Sequence, residues 1–271
     1  MATAILLLCC APYAAVAVGY LEARRRGERP PRWARVLGAT TVVLHLAALV
    51  AVGARTGRSP FQTESQALSF LAFSLGALYV LLEGTSGVAT HGGGFWLLTA
   101  VLAGSAVPGL SSEAAAGPRS PDAVLSLHVG FALLGTATIL AGGLLAAGYL
   151  GAYRRIKERA IEPEAGDDGP SLFGLQVLSR HASAAGLLLL GPSLVLGWMA
   201  LVRREGESPW ARVALACSAL EFGVVLAAAF LWWRRPKRGP IAAWLNVSAT
   251  VIAVLTIGVL HPLLTRAAGT G

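Results

Sequence analysis

The sequence predicts an all-α fold: a bundle of about eight membrane-crossing helices with both termini on the outer side. Three observations carry this. Long apolar stretches recur from one end of the chain to the other. Charge is confined to the gaps between them. The arginine clusters fall in alternate gaps.

Of the 271 residues, 55% are hydrophobic and only 13% are charged, with a mean hydropathy of +0.64, far from the balance of a soluble domain. A hydrocarbon core of about 30 Å needs about 20 apolar residues per helix. Segments 2–21, 35–54, 66–86, 95–110, 124–150, 174–202, 210–233 and 241–264 meet or approach this.

The first segment has no basic stretch before it and runs into Arg24, Arg25 and Arg26. It reads as an uncleaved helix, not a signal peptide. Pro30 and Pro31 break the basic turn that follows. The second segment carries His45 near its middle, and a short polar gap at 55–65 leads into the third. After the third comes the glycine-rich stretch G-T-S-G-V-A-T-H-G-G-G, which contains His91. It lacks the Lys-Ser/Thr and the preceding strand of a phosphate-binding loop, so it reads as a surface turn.

The fourth segment is the shortest, and the gap 111–123 after it is rich in Ser, Ala, Gly and Pro. The fifth and sixth are long enough to tilt or project beyond lipid. Gly143, Ala147 and Gly151, spaced four apart, predict close packing of the fifth helix on a neighbour. The gap 154–171 turns from basic to acidic (Glu162, Glu164, Asp167, Asp168) and reads as a solvated linker. Gly191-Pro192 predicts a kink in the sixth segment. With so little chain left over, residues 1–271 read as a single membrane domain. No internal repeat supports an inverted-repeat transporter.

Orientation follows from the cations. One side of the predicted topology holds 15 Lys and Arg, in the gaps at 24–35, 154–159 and 234–238 and at Arg180; the other holds 7. The positive-inside rule places the richer side in the cytoplasm. All seven tryptophans then fall near predicted interfaces: Trp33, Trp96, Trp232, Trp233 and Trp244 inside, Trp198 and Trp210 outside. That is the preference of an amphipathic indole.

Several functions are excluded. The net charge of +8 lies in short loops beside apolar spans and forms no basic face with interleaved aromatics, so nucleic acid is not a partner. Cys9, Cys10 and Cys217 lie inside apolar spans as small hydrophobes. No C-x-x-C or C-x-x-C-H occurs, which removes a thiol relay and covalent haem attachment to this chain. No G-x-S-x-G, H-E-x-x-H or acidic metal cluster marks a hydrolase.

Ionisable residues at membrane depth are costly and therefore functional candidates. His128 lies a little over one turn inside the outer end of the fifth span, and His261 within about one turn of the outer end of the eighth. Two imidazoles from different helices at one depth can hold a b-type haem. His45 lies deeper, either as a further ligand or as a helix-packing residue. Arg180 and His181 read as side chains that snorkel to the cytoplasmic surface. Glu221, in the middle of the seventh span, has no evident partner at its depth.

These histidines carry a family likeness. L-S-L-H-V-G-F-A-L at 125–133 and V-L-T-I-G-V-L-H-P-L at 254–263 resemble the outer-histidine helices of the cytochrome c assembly family, the haem-handling membrane proteins that include CcsA and HemX-like members. G-L-L-L-L-G-P-S-L-V-L-G-W in the sixth span resembles that family's G-F-P-L-L-T-L-G-x-x-x-G-x-x-W helix. H-L-x-x-L around His45 resembles its early membrane histidine, and F-Q-T-E-S-Q-A-L-S-F-L-A-F its third helix. The resemblance implies eight helices in a bacterial-type inner membrane. It also implies non-covalent haem b, with His128 and His261 as axial ligands and His45 as the membrane histidine.

The chain departs from the haem-presenting members in two places. Their tryptophan-rich W-G-x-x-W-x-W-D loop is here R-R-E-G-E-S-P-W, which leaves only Trp210. Their second membrane histidine is replaced in L-W-W-R-R by Trp232 or Trp233. The expectation is therefore a HemX-like accessory to haem attachment, working with another cytochrome c maturation membrane protein, and not a stand-alone enzyme. The alternatives are a transporter or channel of another class, or a structural subunit of a respiratory membrane complex.

Overall fold

The computed structural model describes residues 2–56, 63–86, 88–112, 123–158, 171–203, 209–235 and 238–257. Among them there is no strand. Eight α-helices follow one another: α1 (Ala2–Arg25), α2 (Arg32–Thr56), α3 (Glu64–Ser86), α4 (Gly92–Ser112), α5 (Ala123–Lys157), α6 (Leu172–Arg203), α7 (Pro209–Arg234) and α8 (Gly239–Leu255). A 3-10 turn, Val88–His91, precedes α4. Helices α2, α3, α5, α6 and α7 are long and apolar enough to cross a membrane; Gly92–Val107 and Gly239–Leu255 are shorter apolar helical stretches.

The helices divide between two compact units, the first holding α1–α4 and the second α5–α8. Each is a ring in which every helix packs on its two neighbours in sequence, closed by α1 on α4 and by α5 on α8.

Large aromatic side chains fill the first unit. Tyr13, Tyr20, Tyr79, Phe95 and Trp96 are fully buried. Trp96 stacks on Tyr13 at 5.7 Å and meets Tyr79 edge-on at 5.4 Å between centroids. The Tyr20 hydroxyl donates to the Glu83 carboxylate, 2.8 Å from each oxygen. In the glycine-rich stretch, a Cβ on Gly93 would lie 2.7 Å from Cδ2 of Leu21. The lack of a side chain there lets the start of α4 close against α1.

Small residues draw the second unit together. A Cβ on Gly135 would lie 2.9 Å from the Leu190 side chain, and one on Gly186 2.8 Å from Ile139. Helices α5 and α6 therefore approach through glycine on both sides. Gly143 faces Thr250 and the Asn246 carbonyl of α8. A polar clamp ties three helices: the Asn246 amide donates to Ser179 Oγ (2.9 Å), Ser183 Oγ donates to Asn246 Oδ1 (3.0 Å), and Ser179 Oγ donates to the Gly142 carbonyl (3.1 Å). Every member is satisfied, so the clamp fixes the register of α5, α6 and α8 at no desolvation cost beyond its own bonds.

Two expectations change on contact with the structure. Of the proposed Gly143, Ala147 and Gly151 stripe, only Gly143 packs on a helix; Ala147 and Gly151 are exposed. Trp96 and Trp232 are 1% exposed, so they are core residues that happen to lie at interface depth. Trp232 packs edge-on against Tyr149 with centroids 5.5 Å apart. Helix α6 carries Pro192 within its span.

Candidate functional site

His128 lies on the first turns of α5, half-buried, and faces α6. Its Nδ1 is 2.7 Å from the Ser193 backbone carbonyl oxygen. A carbonyl only accepts, so Nδ1 carries the proton. The Ser193 hydroxyl is 3.1 Å from the same nitrogen and donates to the His128 carbonyl, also at 3.1 Å. The ring is held in one tautomer, leaving Nε2 with its lone pair and no partner among the described residues. Metal-bound histidines show this arrangement: the distal N–H goes to a carbonyl, which orients the ring and raises the basicity of the other nitrogen.

The sequence explains how the ring gets so close to α6. A Cβ on Gly197 would lie 2.6 Å from Cε1 and 3.0 Å from Nδ1 of His128. Only glycine leaves the space. Ser193 and Gly197, one turn apart on α6, are thus the receptor for the imidazole. Sequence reading missed both as site residues, although they stand within the G-P-S-L-V-L-G run. The available signal was a serine and a glycine four residues apart at the depth of His128.

Beside the ring is a partly open cavity of about 220 Å³, lined by Leu125, Gly197, Leu201, Leu215 and Ser218 along with His128. It lies among α5, α6 and α7. Its walls are mainly apolar, as small-molecule sites usually are, but it is below the roughly 300–1,000 Å³ typical of them. The described residues offer one donor nitrogen there and enclose less space than a whole porphyrin occupies.

His45 is in a different situation. It is 1% exposed. Its Nδ1 is 3.1 Å from the Tyr13 hydroxyl and its Nε2 2.8 Å from Ser69 Oγ. Phe73 packs edge-on at 6.1 Å. With both nitrogens occupied, neither is free to bind a metal in this arrangement.

The remaining candidates are dispersed. His261 lies outside the described residues, as does the side chain of Trp210; α8, whose apolar segment leads toward His261, packs directly on α5. His181 is exposed on α6. Glu221 is buried in α7 with Oε1 lacking a hydrogen-bond partner, one turn below the cavity-lining Ser218. Among the described residues no group of three or more His, Cys, Asp or Glu could hold a metal ion. Among the described residues the candidate centre is the single imidazole of His128.

The fold and the site define a helical bundle in which five described helices are long and apolar enough to cross a bilayer and which presents one oriented imidazole. No protein-family model matches the chain, and no curated protein matches it.

Proposed function

We propose that this chain is an integral membrane haem-binding protein that acts in cytochrome c assembly or in control of the haem pathway. Haem is held non-covalently near the outer face, with His128 as one axial ligand and His261 as the other. The chain crosses a bacterial-type inner membrane several times, with its arginine-rich gaps in the cytoplasm. It supplies position and ligation, and covalent attachment belongs to a partner membrane protein.

The observation that carries this reading is the His128 tautomer. Nδ1–H is tied to the Ser193 carbonyl at 2.7 Å, and Nε2 is free beside an apolar cavity. His45, by contrast, is bonded at both nitrogens. Direct packing of α5 on α8 supports the pairing with His261. Haem would supply an iron centre and an apolar macrocycle; the protein orients the ligand nitrogen.

The test is the visible spectrum of protein purified from haem-replete cells. A Soret band is expected in the wild type and its loss in His128→Ala and His261→Ala. A haem-free wild type, with helicity intact, would overturn the proposal.

A further inference from the structure

The end of the second unit where α5 and α7 finish and α6 and α8 begin is strongly cationic. Arg154, Arg155, Arg234, Arg235 and Arg238 surround it, and Arg180 stands eight residues inside α6. Arg26 and Glu22 form an ion pair on α1, in the first unit. Among the described residues none of these arginines is ion-paired with a carboxylate.

Two of these arginines are organised in the same way on different helix seams. The Arg154 guanidinium lies 5.8 Å from the ring centre of Trp244, between α5 and α8. That of Arg180 lies 5.5 Å from the ring centre of Trp233, between α6 and α7. Both indoles are about half exposed, 51% and 49%. A cation stacked on an indole keeps its edge N–H groups available for an anion.

The α6–α7 seam has two further features. Arg180 Nε is a buried donor with no hydrogen-bond partner. Leaving such a group unmatched is costly, more so when it is charged. In addition, Trp233, Phe230 and Leu226 are all exposed on α7. Their spacing of three and four residues forms one apolar stripe running away from Arg180 along the helix.

We propose that the α6–α7 seam binds an anionic phospholipid, with its phosphate on Arg180 and an acyl chain along Trp233, Phe230 and Leu226. A planar guanidinium matches phosphate oxygens, and basic pockets between helices on the cytoplasmic side suit acidic headgroups. The apolar stripe selects a lipid over a free anion. This inference rests on the membrane reading and needs no haem.

The experiment is native mass spectrometry of the full chain in mild detergent, titrated with phosphatidylglycerol, phosphatidylcholine or inorganic phosphate. The wild type retains a phosphatidylglycerol adduct in preference to the other two. Arg180→Gln weakens that adduct roughly tenfold, and Phe230→Ala, an exposed change that spares the core, also weakens it. Arg155→Gln removes the same charge from the neighbouring α5 and leaves the adduct unchanged. Equal losses in Arg180→Gln and Arg155→Gln, equal binding of phosphatidylcholine, or a phosphate adduct as strong as the lipid's would each overturn the site. Release of the chain from membranes by alkaline carbonate would instead refute the membrane reading itself.

Discussion

His45 and His128 are both histidines within apolar helices, yet the units around them treat them in opposite ways. In the first unit His45 is closed: Tyr13 and Ser69 take both ring nitrogens, and aromatic side chains wall it in. In the second unit His128 is half open: one nitrogen is anchored to a backbone carbonyl and the other is left beside a cavity. Hydrogen bonding, not depth, separates a packing histidine from a candidate ligand. A fully satisfied polar group stabilises one packing arrangement. A half-satisfied one with its tautomer fixed is prepared to bind something else.

The predictions that would break or sharpen this contrast run from large to small. Gly197→Ala is expected to abolish the haem spectrum, because the new methyl group takes the place of the His128 ring against α6; helicity by circular dichroism should be kept. A Gly197→Ala protein with a wild-type Soret band would show that the α6 receptor does not matter. Gly143→Leu is expected to destabilise the second unit by about 1–3 kcal/mol through overpacking, since even a methyl there meets Thr250 and the Asn246 carbonyl. His45→Ala should keep the haem spectrum and cost about 1–3 kcal/mol in thermal or denaturant unfolding, because Tyr13 and Ser69 lose a buried partner. Gly151→Ala, with open space around it, should instead stabilise by about 0.5–1 kcal/mol, because alanine loses less backbone entropy in a helix. The smallest effect belongs to Glu22→Gln, which removes an exposed i,i+4 ion pair with Arg26 and should shift stability by less than about 0.5 kcal/mol.

The positions of the helices were legible because apolar length and flanking charge are local properties. The segments 35–54 and 66–86, for example, lie within α2 and α3 and reach their ends to within a few residues. The grouping into two rings was not legible. A helix that is apolar on every side does not declare which face packs on protein and which would meet lipid. The same ambiguity explains the tryptophans. Trp233 and Trp232 are adjacent in sequence, but one is half exposed and the other sits under Tyr149.

At the site, the candidacy of His128 could be read from its depth. Its orientation could not, because that depends on Ser193 and Gly197, about 65 residues further along the chain and brought opposite by close α5–α6 packing. The bonding of His45 was hidden for the same reason: Tyr13 and Ser69 come from α1 and α3, and nothing local to His45 announces them.

The central claim is that His128 offers its Nε2 to iron while His45 does not. Chemical rescue tests it most directly. In His128→Gly the haem spectrum should be lost and should return when imidazole is added to fill the space left by the side chain. His45→Gly should keep its spectrum without any addition. A His128→Gly protein that retains the wild-type haem spectrum before imidazole is added would contradict the account.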